Sequence, residues 1–160
     1  MEPVPQLWLA ALQLLGMVIV IDAWQYWGHR LMHSNRWLYH NVHAWHHRIH
    51  APYAISASFN HPLEGLLLDT ASGALGLLLI SPHPYVAAVA FTASIAKTVD
   101  DHCGMKLAWD PLQRIFSNNA RYHDYHHEPR GARFNFSQPW FTFWDDVCGE
   151  DGERVAQTRW

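Results

Sequence analysis

The sequence predicts an all-α fold in which a first membrane helix and a membrane hairpin are capped by a cytosolic domain of histidine-bearing helices. Three observations predict it. Apolar runs occupy residues 7–21, 63–80 and 85–98. All eleven Lys and Arg fall in 30–48 or 97–159, and none lies in 1–29 or 49–96. Of thirteen histidines, eight crowd into residues 22–61. At 160 residues the chain makes one domain, 1–160, with no room for a second core.

Composition supports a membrane setting. The chain is 49% hydrophobic and only 16% charged, with nine Trp, whereas soluble domains carry roughly 25% charged residues. The mean hydropathy of −0.16 looks soluble because the histidines mask the apolar runs. A net charge of −3 offers no basic patch, so nucleic acid is not expected as a partner. Cys103 and Cys148 lie far apart, form no CxxC and read as two free thiols. Under the positive-inside rule, the Lys and Arg distribution places the histidine-bearing segments on the cytoplasmic side.

Taken in order, residues 1–6 hold two prolines and form a short start without a secretory signal. Residues 7–21 are apolar except for Gln13, and the helical pattern continues through Tyr26 to His33. Fifteen residues are marginal for a span, so the continuation carries His29 and His33 to the mouth of the membrane. Ser34-Asn35 breaks the pattern, and residues 36–50 resume as a polar-aromatic helix that Ala51-Pro52 ends. Residues 53–60 connect to the longest apolar run, 63–80, which only Glu64 and Asp69 interrupt. Ser81-Pro82-His83-Pro84 is a sharp turn, and 85–98 returns as a short arm that dips in rather than fully spanning. A hairpin returns the chain to the side it left, so ligands before His61 and after His102 face one compartment. Residues 100–119 are turn-rich, 121–127 carry a further histidine cluster, and 128–150 form an aromatic tail that packs over the site or lies at the interface.

The histidines fall into a pattern with chemical meaning: His29-x3-His33, His43-x2-His46-His47 and His123-x2-His126-His127. Neutral imidazole is the commonest metal ligand, and helical residues at i, i+3 and i+4 share a face. Each HxxHH cluster is therefore expected to project as a trio. With His61 and His102 the candidates number ten: His29, His33, His43, His46, His47, His61, His102, His123, His126 and His127. That exceeds the three or four ligands of one zinc ion and suits a dimetal site with about five nitrogens per metal. Imidazole accepts zinc, copper, iron and nickel alike. The absence of ExxH pairs excludes a soluble carboxylate di-iron bundle, and the absence of HExxH excludes a zincin protease. Asp22, Asp100, Asp101, Asp124 and Glu128 read as carboxylates that orient imidazole N–H groups or as structural and solvated charges. His40, His50 and His83 read as non-ligands, and a lone histidine such as His61 or His102 is ordinarily a satisfied polar residue.

The motifs HRLMH, HAWHH, NHPLEG and HDYHH resemble the membrane fatty-acid hydroxylase/sterol desaturase superfamily. Within it, NHPLEGLLLDT, KTVDDHCG, WDPLQ, SNNARYHDYHH and NFSQPWFTFWD closely resemble fungal sphinganine C4-hydroxylases, over residues 22–149. The resemblance implies a fatty acid hydroxylase domain that is short at its N-terminus relative to the family. It implies a di-iron monooxygenase of the endoplasmic reticulum membrane that hydroxylates C4 of sphinganine or dihydroceramide to the phytosphingosine form. Two iron ions, which zinc can replace in a purified sample, would act with O2 and with electrons from NAD(P)H through cytochrome b5 and its reductase. The ten histidines carry over by position as the ligands, with the inclusion of His61 and His102 resting mainly on this resemblance. A long-chain sphingoid base or ceramide would need an apolar channel between the hairpin and the first helix. Other readings are a C4-sterol oxidase, a fatty acid hydroxylase or a desaturase, a catalytically silent metal-binding membrane protein, and a soluble zinc-storage or metal-sensing module.

Overall fold

Residues 5–152 are described by a computed structural model; the start expected over residues 1–6 lies, for residues 1–4, outside them. The first helix, α1 (Leu7–Ser34), runs 28 residues, about 42 Å at helical rise. That exceeds a hydrocarbon core of about 30 Å, so one end stands clear of it. The inner face of α1 buries Met17, Ile21, Asp22, Gln25, Tyr26, His29 and Met32, a 3.6-residue stripe. Its outer face leaves Leu12, Leu15, Ile19, Trp24, Trp27 and Leu31 exposed.

Asn35 ends α1 and caps α2 (Arg36–Asn41), its side chain accepting from the Trp37 and Leu38 amides. The helix expected over residues 36–50 breaks at Val42, whose φ of −120° and ψ of −70° leave the α region. His43–Arg48 continues as a 3₁₀ helix. A second 3₁₀ turn, Ala54–Ser58, leads to α3 (Pro62–Glu64), a π-helical segment Gly65–Thr70 and α4 (Ala71–Ile80). These three run on as one helix, Pro62–Ile80.

That helix lies antiparallel to α1. An added Cβ on Gly16 would meet Ile80 at 2.8 Å, and one on Gly76 would meet Met17 at 2.9 Å. Nearer the histidines, one on Gly28 would meet Leu68 at 2.5 Å. Small residues thus let the two helices approach closely. Gln13, the one polar residue of the first apolar run, accepts from the His83 amide at 3.2 Å and holds the turn before α5 (Pro84–Asp101). Met17, Ile21 and Ala90 form the core where these helices meet. Among the described residues, α1 and Pro62–Ile80 are long and apolar enough to cross a membrane. The return arm α5 is not, because Lys97, Asp100 and Asp101 fall in its last turns.

Short helices α6 (Pro111–Ile115), α7 (Ala120–His127) and α8 (Phe143–Cys148) complete the fold. The aromatic tail between α7 and α8 folds back under Asp145, which accepts from the Phe136 and Ser137 amides and from Tyr122. Glu150 ties it to α1 through Arg30 at 2.8 Å and Tyr26 Oη at 2.9 Å.

Candidate metal centre

The last turns of α1 carry His29 and His33, the first 3₁₀ helix carries His43, His46 and His47, and α7 carries His123, His126 and His127. His102 caps the C-terminus of α5. These nine side chains gather into two groups whose nitrogens lie within 4.8 Å of one another. His29, His33, His43, His47 and His126 form one, and His46, His102, His123 and His127 the other. All are buried except His33, which is half-buried. The expected trios therefore divide. Each i, i+4 pair (His29/His33, His43/His47, His123/His127) stays within one group, while the i+3 members His46 and His126 cross into the opposite group. Two backbone segments meeting face to face produce this exchange, and spacing within one segment does not reveal it.

The far side of each ring is anchored. The Nδ1 atoms of His29, His46, His102, His126 and His127 donate to the carbonyls of Phe136 (2.8 Å), Phe59 (3.2 Å), Thr98 (2.8 Å), Phe134 (2.6 Å) and Ile49 (3.0 Å). A carbonyl only accepts, so these rings carry their proton on Nδ1 and present a bare Nε2 lone pair. His43 is held likewise by Glu64 Oε1 at 2.7 Å. Yet the Nε2 atoms of His29 and His43 approach to 3.1 Å, and those of His46 and His102 to 3.3 Å. Further contacts of 3.0–3.1 Å join His123 to His102 and His127, and His47 to His33 and His126. Lone pairs facing at these distances repel unless a cation lies between them. Nitrogens sharing one metal at about 2.0–2.1 Å sit about 3 Å apart, so the donor set fits two adjacent cations.

Burial also keeps the rings neutral. It pushes His46 down to about 4, His102 to about 3 and His127 to about 2, and holds His43, His47, His123 and His126 well below 6.5. Neighbouring imidazoles add to the lowering in all but His46. At neutral pH these ligand atoms need release no proton to take a metal.

His61 stands outside both groups. Its Nδ1 accepts from the Leu63 amide at 3.1 Å and its ring meets Trp45, so it caps α3. His40, His50 and His83 also lie outside. The carboxylates expected to orient imidazoles are engaged elsewhere. Asp22 accepts from the Trp140 and Phe141 amides, Asp100 from Gln113, Asp101 pairs with Lys97, and Glu128 pairs with Arg130. Asp124 has a buried Oδ1 without a partner. Among the described residues the carboxylate bonded to an imidazole of the centre is Glu64, 21 positions from His43 in sequence. Its place between His61 and Asp69 in an apolar helix was the available signal. The aromatic tail packs over the centre as expected, with Phe136 against His29, His33 and His126.

Beside the centre lies a cavity of about 30 Å³ touching His43, His46, His102 and Glu64. It adjoins a cleft of about 420 Å³ between α1, the Pro62–Ile80 helix and α5, lined by both polar and apolar side chains.

A family model described as "Fatty acid hydroxylase" matches residues 14–150. The chain is 52% identical over 139 residues to "Sphingolipid C4-hydroxylase sur2" of Schizosaccharomyces pombe, covering 87% of this chain and 47% of that protein. It is 50% identical over 141 residues to "Sphinganine C4-monooxygenase 2" of Arabidopsis thaliana, covering 88% and 54%. It is 47% identical over 145 residues to "Very-long-chain aldehyde decarbonylase GL1-9" of Oryza sativa subsp. japonica, covering 91% and 56%. The chain thus spans about half the length of these curated relatives. No solved structure matches. With the family model covering most of the chain and the histidine motifs inside it, the chain belongs to the fatty acid hydroxylase family.

Proposed function

We propose that this chain forms the catalytic part of a membrane di-iron monooxygenase that hydroxylates C4 of a sphingoid base. The observation that carries this reading is the pair of histidine groups beside a small cavity that shares wall residues with a cleft of about 420 Å³. The names of the yeast and plant relatives support the substrate. His29, His33, His43, His47 and His126 would hold one iron, and His46, His102, His123 and His127 the other; His61 is left out. When bound, the irons supply activation of O2 for insertion of one oxygen atom into a C–H bond.

The chain's own residues perform the rest. Backbone carbonyls and Glu64 fix the imidazole tautomers and their aim. Phe136 and the tail close the centre from water. The cleft walls hold the alkyl chain so that one methylene faces the centre. The balance is C4–H plus O2, two electrons and two protons to C4–OH plus water, the electrons coming from NAD(P)H through cytochrome b5 and its reductase. We place α1 and the hairpin in the endoplasmic reticulum membrane with the histidines on the cytosolic face, as the Lys and Arg distribution favours.

The test is lipid mass spectrometry on cells that lack C4-hydroxylase and express this chain, beside a matched His126→Ala/His127→Ala form. Phytosphingosine that depends on the intact histidines supports the reading. Membrane-inserted, metal-loaded protein that yields none overturns it. Alkane in the same extracts would favour instead the activity in the rice relative's name.

A further inference from the structure

The small cavity and the cleft share part of their walls: Gln25, Ala57, Asn60, Asp69 and Thr98 line both. Four of these five are polar, and they form a neck between the histidines and the cleft. Beyond the neck the cleft turns apolar, with Ile21, Phe91, Ile95 and Val99 on its walls. Asp69 lies in the π-helical segment Gly65–Thr70, a feature frequent at functional sites. Its Oδ1 has Gln25 Nε2 at 3.5 Å, and the same amide lies 3.5 Å from Ser72 Oγ. Both contacts are at the outer limit of a hydrogen bond; Asn60 also hydrogen-bonds the carboxylate, whose two oxygens still have lone pairs to accept more.

A second carboxylate faces the same small cavity. Glu64 is 4% exposed, gives Oε1 to His43, and leaves Oε2 buried without a partner. Among the described residues no Lys or Arg lines either cavity. Asp69, exposed on the neck, and Glu64, buried on the adjoining cavity with one oxygen free, together offer acceptors to a cation.

Building on the hydroxylase reading, we propose that Asp69, with Glu64 Oε2, takes the protonated amine of a free sphingoid base and selects it over the N-acylated form. The amine of such a base sits on C2, and C4 is two carbons further. An ammonium held at the neck therefore keeps C4 within about 4 Å of itself, beside the cavity that the histidines line, while the alkyl chain runs along the cleft. N-acylation replaces the ammonium by a neutral, bulkier amide. The buried Glu64 Oε2 is then left without a partner, the kind of loss by which polar sites discriminate strongly.

The test reads binding without turnover. Isotherms for tritiated sphinganine and tritiated N-acetylsphinganine are measured on the full chain in matched detergent micelles. Sphinganine is expected to bind about tenfold or more tightly. Asp69→Asn should remove most of that preference and leave N-acetylsphinganine within about twofold, and Asp69→Glu should recover part of it. Equal affinities in the unmodified chain overturn the proposal, as does Asp69→Asn weakening both ligands equally. If Asp69→Asn does not fold, the comparison of the two ligands on the unmodified chain decides alone. A chain that prefers sphinganine but makes no phytosphingosine would overturn the hydroxylase reading only. Phytosphingosine made without the preference would overturn the cation subsite only.

Discussion

Glu64 shows how much one side chain can fix. Its Oε1 accepts the His43 Nδ1 proton and so aims the opposite nitrogen at the first histidine group. Glu64→Ala should weaken metal retention about 10–100-fold, read as metal lost to a graded chelator, and Glu64→Gln should recover part because an amide oxygen still accepts. His61→Ala should leave the metal content unchanged. Its cost is the α3 cap, about 1 kcal/mol, measured by thermal unfolding in detergent. Loss of one metal equivalent in that variant would return His61 to the ligand set. Titration belongs to the same scale. The seven buried histidines from His43 to His127 have folded values far below 6.5. As pH falls below about 6.5 the unfolded chain takes protons that the folded chain refuses, so stability falls. Asp101, Asp124 and Asp145 act in the opposite sense, because burial raises their carboxyls and the folded chain keeps protons that the unfolded chain gives up. The metal-free protein's melting temperature should therefore change between about pH 6.5 and 4 with a more destabilising slope than that of a His123→Gln/His127→Gln form, which lacks two of these rings. Parallel profiles in the two forms would show that these rings are not neutral in the folded chain.

Among elements, α7 is the most tightly specified. Gly131 follows it, and a Cβ there would sit 1.7 Å from the Tyr125 carbonyl oxygen, between His123 and His127 in the chain. Backbone cannot swing away as a side-chain end can, so Gly131→Ala must displace the helix end that carries His126 and His127. We expect a loss of about 2 kcal/mol or more together with loss of metal from both groups, read by thermal unfolding and metal analysis. The break at Val42 matters comparably, because it turns the polar-aromatic helix into a 3₁₀ segment whose histidines serve two groups. The sequence marks both HxxHH clusters, yet an α-helical face predicts a trio where the structure divides each cluster.

For the whole molecule, the exposed face of α1 and of the Pro62–Ile80 helix is a broad apolar surface, with Leu12, Leu15, Ile19, Leu77, Leu78 and Leu79 open. Contiguous apolar surface of this kind marks a membrane or a partner. Leu78 and Trp109 are both 76% exposed, but only Leu78 lies on a candidate span. Leu78→Arg should therefore weaken insertion, by less than the roughly 2.5–3.5 kcal/mol of a helix centre because Leu78 stands near the helix end, measured with a glycosylation reporter, while Trp109→Arg should insert as the unmodified chain does. Equal insertion of the two variants would remove Pro62–Ile80 from the membrane.

The sequence by itself determined the helical class, the two long apolar helices and nine of the histidines that gather. These properties follow from local periodicity, composition and spacing, which a linear chain displays directly. Tertiary structure alone decided which histidine joins which group, because that depends on how α1, the 3₁₀ helix and α7 face one another. It moved His61 from ligand to cap, since a ring beside Pro62 reaches the Leu63 amide rather than the centre. It also replaced Asp22, Asp100, Asp101, Asp124 and Glu128 by Glu64 and five backbone carbonyls. A carbonyl has no side-chain identity to read, and a partner 21 residues away is found only when the chain closes on itself.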